Sequence, residues 1–203
     1  MTEPAPGSAG RLFLAVDPPP AAVADLDRAL DPLRAAPGAP HWTPPGRWHL
    51  TLVFLGEVPA PLLAPLTAAV GPAVAGAPAL SLQLAEAGRF GSRRRPAVCW
   101  AGLAGDVVPL TALAGRLADA ARGVGLPVED RPFRAHLTVG RWRAGQDADA
   151  DLPERLAGYR GPVWTAPEVV LWRSHLGPTP RYERVTSWPL GPDLPPGPAA
   201  GSS

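Results

Sequence analysis

One short element occurs twice in this chain, and it limits the folds available to it. The first copy is Arg47-Trp48-His49-Leu50-Thr51-Leu52; the second is Arg134-Ala135-His136-Leu137-Thr138-Val139. Each reads Arg, any residue, His, Leu, Thr, aliphatic, and the two histidines stand 87 residues apart. With four His and nine Thr in 203 residues, His-x-Thr is expected about 0.2 times by chance. Both copies lie in alternating runs of strand length. Successive side chains of a strand point to opposite faces, so His and Thr at i and i+2 share one face. Leu50 and Leu52, like Leu137 and Val139, point the other way, into a core. Each strand thus presents an imidazole beside a hydroxyl over an apolar back, and two such strands side by side would gather two His and two Thr.

The surrounding pattern mixes strands and helices. Strands are predicted over Arg11–Val16, His49–Leu55, Leu80–Leu84, Ala97–Leu103 and Ala135–Trp142. Glu168–Arg173 and Tyr182–Trp188 read as a closing strand pair. Helical spacing of apolar residues marks 21–33 (Val23, Leu26, Leu30, Leu33), 61–74 and a segment after Asp106, which reads as its cap. The class is α/β or α+β, with helices covering sheets. A single domain is expected over residues 11–190. Residues 1–10 and 191–203, rich in Pro, Gly and small residues, are expected to be disordered.

Composition removes several functions. The formal charge is +1, from 19 basic and 18 acidic residues, so neither a polybasic nucleic-acid coat nor an acidic tail is present. All the basic residues are Arg; Lys, Ile and Asn do not occur. A phosphate loop ending in Lys is thereby excluded. The absence of these three AT-rich-codon residues suggests a GC-rich genome and makes part of the Ala, Pro and Arg excess codon bias. The lone cysteine, Cys99, lies in an apolar run and reads as a small core residue. No segment reaches the ~18–20 apolar residues of a membrane span, and the N-terminus has no signal-peptide pattern. A cytoplasmic bacterial protein is expected.

A phosphodiester suits two His and two Thr. One imidazole can take a proton from the attacking oxygen while the other gives one to the leaving oxygen. With an unperturbed pKa near 6.5, one neutral and one charged imidazole can coexist near neutrality. The hydroxyls can hydrogen-bond the non-bridging oxygens, and a nearby Arg can balance the charge. Zinc would want three or four His, Cys or carboxylate ligands, and no Gly-x-Ser-x-Gly elbow marks a serine hydrolase. No metal or cofactor is expected.

Four landmarks occur in order: Arg11-Leu-Phe-Leu-Ala-Val-Asp17, His49-Leu-Thr-Leu-Val-Phe-Leu-Gly56, Arg131-Pro-Phe-Arg-Ala-His-Leu-Thr-Val-Gly-Arg141, and Arg181-Tyr182. Together they resemble the two-histidine phosphoesterase superfamily, and more closely the bacterial RNA 2′,3′-cyclic phosphodiesterases first named 2′-5′ RNA ligases. The resemblance implies a bilobal fold, two pseudo-symmetric lobes each with an antiparallel sheet and flanking helices, and a central cleft holding both histidines. It implies hydrolysis of terminal 2′,3′-cyclic phosphates on RNA or nucleotides to 2′-phosphates, with weak 2′-5′ ligation as the reverse reaction. His49 is assigned as general acid and His136 as general base, although the residues alone would allow the roles to be exchanged. Thr51 and Thr138 complete the two motifs. Arg141 matches an Arg near the phosphate, and Phe54 an aromatic at the cleft, against its strand parity. The usual Pro before the second His is Ala135 here.

A non-catalytic binder of RNA ends or nucleotides is the alternative, although a pure binder has no need of two acid–base groups. A monomer without membrane attachment is expected. His41 and His175 lack a following Thr; His41 reads as surface, and His175 as structural or surface with a reach into the cleft as the alternative. Arg93-Arg94-Arg95 reads as a solvated turn, with a grip on an RNA backbone as the functional alternative. Trp48 and Trp142 could belong to the core or to the cleft edge.

Overall fold

The computed structural model describes residues 7–175, 177 and 181–191. The disorder expected for 1–6 and 192–203 concerns residues outside that set. β1 (Ser8–Val16) carries the near-continuous apolar run Leu12-Phe13-Leu14-Ala15-Val16, all of it buried. Such a run fits a strand covered on both faces, and β1 lies inside its sheet. It begins at Ser8 rather than Arg11, so residues 8–10 belong to the strand and not to a disordered leader.

The remaining strands are β2 (His41–Trp42), β3 (Leu50–Pro59), β4 (Leu80–Ser92), β5 (Arg95–Gly105), β6 (His136–Arg141), β7 (Arg160–Ala166), β8 (Glu168–His175) and β9 (Arg181–Pro189). They form two sheets, β3-β1-β8-β9 and β2-β6-β5-β4-β7. Every pairing among the described residues is antiparallel. β8 and β9 pair as expected.

β7 is an element the sequence pattern did not reveal. Gly161 and Pro162 interrupt its strand pattern, but β7 is an edge strand whose ladder partner is β4, and an edge is the place where a sheet tolerates proline. β2 also escapes the pattern: two residues at the opposite edge, inside a Pro-rich stretch. β4 and β5 outrun their predicted ends and form a long hairpin closed by Arg93 and Arg94.

The helices are α1 (Pro20–Arg34), α2 (Leu63–Ala75) and α3 (Val107–Gly123). α1 opens with Pro20, whose fixed φ suits a first helical turn, and buries Ala22, Leu26, Leu30 and Leu33. It leaves the first sheet yet packs on β4 and β7 of the second. Conversely, α3 leaves the second sheet and packs on β3 of the first and on α2. This exchange ties the halves together, and the buried apolar residues of both sheets and all three helices form one continuous core. Asp106 stands at the start of α3 but makes no side-chain cap. Its carboxylate instead accepts the Ser81 N–H at 2.8 Å, fastening the helix start to β4.

The two motif strands are not ladder partners. β3 is the edge of one sheet and β6 lies in the other, and the two approach each other between the lobes.

Candidate active site

Both motif histidines are half-buried and held alike. His49 directly follows a short 3-10 turn, Pro45–Arg47, and the single residue Trp48. Its Nδ1 lies 2.9 Å from the Arg47 carbonyl. His136 opens β6, with Nδ1 2.7 Å from the Arg134 carbonyl. A carbonyl only accepts, so each Nδ1 carries its proton and each neutral ring keeps its Nε2 lone pair free. The repeated Arg of the two motifs therefore marks the residue whose main-chain carbonyl orients the imidazole, a role that the side-chain pattern alone did not disclose.

The strands show a second shared device. Thr51 pairs with Ala15 and Val53 with Leu14, leaving Leu52 as an extra residue. Thr138 pairs with Trp100 and Gly140 with Cys99, leaving Val139 as an extra residue. A bulge of one residue reverses side-chain parity beyond it. Simple alternation would send Phe54 and Arg141, each three residues after its Thr, to the back of its strand. The bulges return both to the face that bears His and Thr. Phe54 consequently lies against Phe13, at 6.4 Å between ring centres, and is 68% exposed. The parity objection to Phe54 is removed by the register itself. Arg141 is exposed too, and its charge reaches both imidazoles.

Around these groups the halves differ. The His49 ring packs on Phe13 at 4.6 Å and meets Tyr182 edge-on at 5.1 Å. His136 meets Phe90 edge-on at 4.8 Å, and the Arg134 guanidinium lies over Phe90, 6.0 Å from its ring centre. Burial pushes the His49 pKa down to about 4; the Arg47 carbonyl opposes this, and the charges of His136 and Arg141 add to it. His136 is lowered too, by burial first and then by the Arg141 charge, against its own carbonyl partner. Both imidazoles are thus neutral in the free protein near neutrality, rather than one neutral and one charged. An anion bound between them would favour their charged forms.

Phe13, Phe90 and Tyr182 are site residues that sequence reasoning passed over. Phe13 read only as part of a core run, and Tyr182 was a landmark without a role. Trp48 and Trp142 are buried core residues whose indole N–H groups donate to the carbonyls of Thr43 and Gly38. His41 is exposed on β2 opposite Arg141. His175 pairs with Glu183 at 2.7 Å on the β8–β9 ribbon. Arg93, at the β4–β5 turn, is engaged by Asp151 and Glu154. Cys99 is buried, with its thiol pushed up to about 12 by desolvation. Among the described residues, no three His, Cys, Asp or Glu side chains converge as a metal site, and no helix is long and apolar enough to cross a membrane.

The sequence profile of the 2′-5′ RNA ligase superfamily matches residues 16–178. This chain belongs to that superfamily. An RNA 2′,3′-cyclic phosphodiesterase of Geobacillus stearothermophilus is 33% identical over 149 residues, 73% of this chain but 47% of that protein. The match thus spans about half the length of that relative. An RNA 2′,3′-cyclic phosphodiesterase of Bacillus subtilis (strain 168) is 27% identical over 150 residues, 73% of this chain and 80% of that protein. Among solved structures, TT0787 of Thermus thermophilus superposes with a TM-score of 0.75 at 26% identity, covering 91% of this chain and 100% of that one. E. coli LigT complexed with 3′-AMP gives 0.71 at 26% identity, covering 89% and 98%. The bilobal two-histidine phosphoesterase fold of the 2′-5′ RNA ligase superfamily accounts for the two antiparallel sheets and the cleft between them.

Proposed function

We propose that the chain is an RNA 2′,3′-cyclic phosphodiesterase that opens terminal cyclic phosphates to 2′-phosphates without a metal. The observation that carries this reading is the matched pair of imidazoles. Each has Nδ1 tied to a main-chain carbonyl and Nε2 free, beside a Thr on the same strand face. Two relatives named for this activity support it.

A water oxygen attacks phosphorus while His136 Nε2 accepts its proton. The P–O3′ bond breaks, and His49, protonated on Nε2, gives that proton to the departing O3′. The products are a 2′-phosphate and a free 3′-hydroxyl. Thr51 and Thr138 donate hydrogen bonds to the non-bridging oxygens, and Arg141 offsets the charge that builds on them. Phe54 offers an exposed ring on which a base can stack. Replacing water by the 5′-hydroxyl of a second RNA gives a 2′-5′ linkage, a minor reaction in water. The substrate is an RNA end or nucleotide bearing the cyclic phosphate, met in the cytoplasm by a monomer.

The neutral state of both imidazoles fits this scheme. A cyclic phosphate between them raises their pKa values and supplies the charged acid only when substrate is bound. The deciding experiment is incubation of the protein, in EDTA, with a 2′,3′-cyclic nucleotide and a short RNA ending in a cyclic phosphate. Phosphorus NMR should show a 2′-phosphate. Binding without turnover would instead indicate a non-catalytic binder, and activity only with added metal would refute the two-histidine mechanism.

A further inference from the structure

Next to the catalytic groups lies a cavity that the scheme above does not use. Its volume is about 580 Å³, and it opens between the end of β1, the start of α1, the turn before β3, and the β8–β9 ribbon. His49 and Tyr182 form part of its wall; Thr51, His136, Thr138 and Arg141 do not. That volume lies within the range of small-molecule sites, roughly 300–1,000 Å³, and suits a nucleoside.

The lining is chemically selective. Trp172 and Tyr182 supply aromatic surface, Pro18 and Pro45 rigid apolar walls, and Arg47 and Arg181 positive charge. Asp17 contributes the cavity's carboxylate. The Trp172 indole N–H lies near that carboxylate without a well-formed hydrogen bond, and the nearby Arg184 acts on it only through charge. Burial raises its pKa to about 6, so it is mainly ionised near neutrality while poorly solvated. A desolvated carboxylate lining a cavity calls for a donor.

We propose that this cavity is a base-specific subsite, which takes the base of the nucleotide carrying the cyclic phosphate and reads guanine through Asp17. The inference rests on the phosphodiesterase reading, which puts the phosphate at His49, on the cavity wall. Unpaired RNA bases are commonly held by stacking on aromatic or Arg planes and read along their Watson–Crick edges. Guanine presents two adjacent donors there, N1–H and the N2 amino group, which match the two oxygens of one carboxylate. Adenine and cytosine place a ring acceptor beside their amino group, and that acceptor repels a carboxylate. Uracil has a single donor flanked by carbonyls. The Phe54 ring, on the far side of Thr51 along β3, has no such polar partner and would stack without selecting.

The test compares kcat/KM for the four 2′,3′-cyclic nucleotides in the native protein and in Asp17→Asn. One bidentate pair should favour the guanine substrate by about 5- to 150-fold, and Asp17→Asn should remove that preference. Alongside, guanosine 5′-monophosphate and adenosine 5′-monophosphate are titrated by tryptophan fluorescence. The guanine nucleotide should bind more tightly, and the difference should vanish in the variant. Hydrolysis with no base preference and equal binding would overturn the subsite while leaving the phosphodiesterase reading intact. An equal fall for all four substrates in Asp17→Asn would also overturn it, since Asp17 would then act on His49 or on the fold. If no cyclic nucleotide is hydrolysed, the phosphodiesterase reading fails, and the binding pair still decides for or against the guanine site.

Discussion

In β3 and β6 the same sequence of events produces two different environments. Each strand holds a histidine by the carbonyl two residues before it, sets a threonine beside it, and then bulges at the next residue, Leu52 in one and Val139 in the other. The residue three places after threonine comes round to the cleft face in both. In β3 it is Phe54, an exposed ring; in β6 it is Arg141, an exposed cation. The His49 side is walled by Phe13 and Tyr182, whereas His136 meets Phe90 edge-on. The backbone device is symmetric and carries the acid–base pair. The side chains it delivers are not: they give the cleft a charged side at Arg141 and a flat apolar side at Phe54.

The largest test of that symmetry removes either histidine. His49→Ala and His136→Ala should each lower kcat by about 10²–10⁴-fold, measured by cyclic nucleotide turnover on variants shown folded by circular dichroism. A variant retaining native turnover would leave the site with one acid–base group and end the two-histidine mechanism. Thr51→Ala and Thr138→Ala should cost less, at most ~10²–10³-fold in kcat each, as loss of one donor to the developing oxyanion. Comparable losses at both threonines would confirm that the strands act as equivalents.

Asymmetry should appear next. Arg141→Ala removes a charge-assisted hydrogen bond worth about 1.5–3 kcal/mol, or about 10- to 150-fold in kcat/KM, and Arg141→Lys should recover only part of it because the fork geometry is lost. Phe54→Ala should raise KM for an RNA end by about 5-fold or more through lost stacking, with kcat little changed. An equal effect of both substitutions on kcat would contradict the division into charged and stacking ends.

The smallest effect is on pH dependence. A folded-state pKa near 4 against an unfolded value of 6.5 means that the unfolded chain binds more protons at His49 between those limits. His49 therefore contributes stability that is present above about pH 6.5 and is lost as pH falls through about 4. Asp17, raised from 3.8 to about 6, works in the opposite direction: it disfavours the folded state as pH rises through that window. The informative quantity is thus a difference. Urea unfolding should show His49→Gln losing less stability than the native chain on going from neutral to mildly acid pH. An identical loss would mean that His49 is not desolvated in the folded protein.

Much of this was legible in the residues. His49, Thr51, His136 and Thr138 announce themselves because a strand's period of two is written directly into spacing. α1, α2 and α3 were equally plain, since Leu and Val recur at helical intervals in segments otherwise rich in Ala. The position of Phe54 was not legible, because nothing local marks Leu52 as the residue where register slips. β7 was hidden for a related reason: its proline is acceptable because, among the described residues, no strand lies beyond it. Asp17 closes a landmark but its residue type gives it no role, being one carboxylate at a strand end; the cavity beside it is assembled from four separate stretches of chain.

The chemistry is therefore a property of the chain read in one dimension: two imidazole–hydroxyl pairs on apolar-backed strands, without lysine and with one cysteine. Periodicity and residue type are local, and they need no partner to be seen. That the two strands belong to different sheets and meet across a cleft is a property of the folded molecule. So are the desolvation of both imidazoles to neutrality and the bulges that turn Phe54 and Arg141 to the cleft face. Register, burial and electrostatic reach depend on partners tens of residues away, and those partners exist only once the sheets have paired.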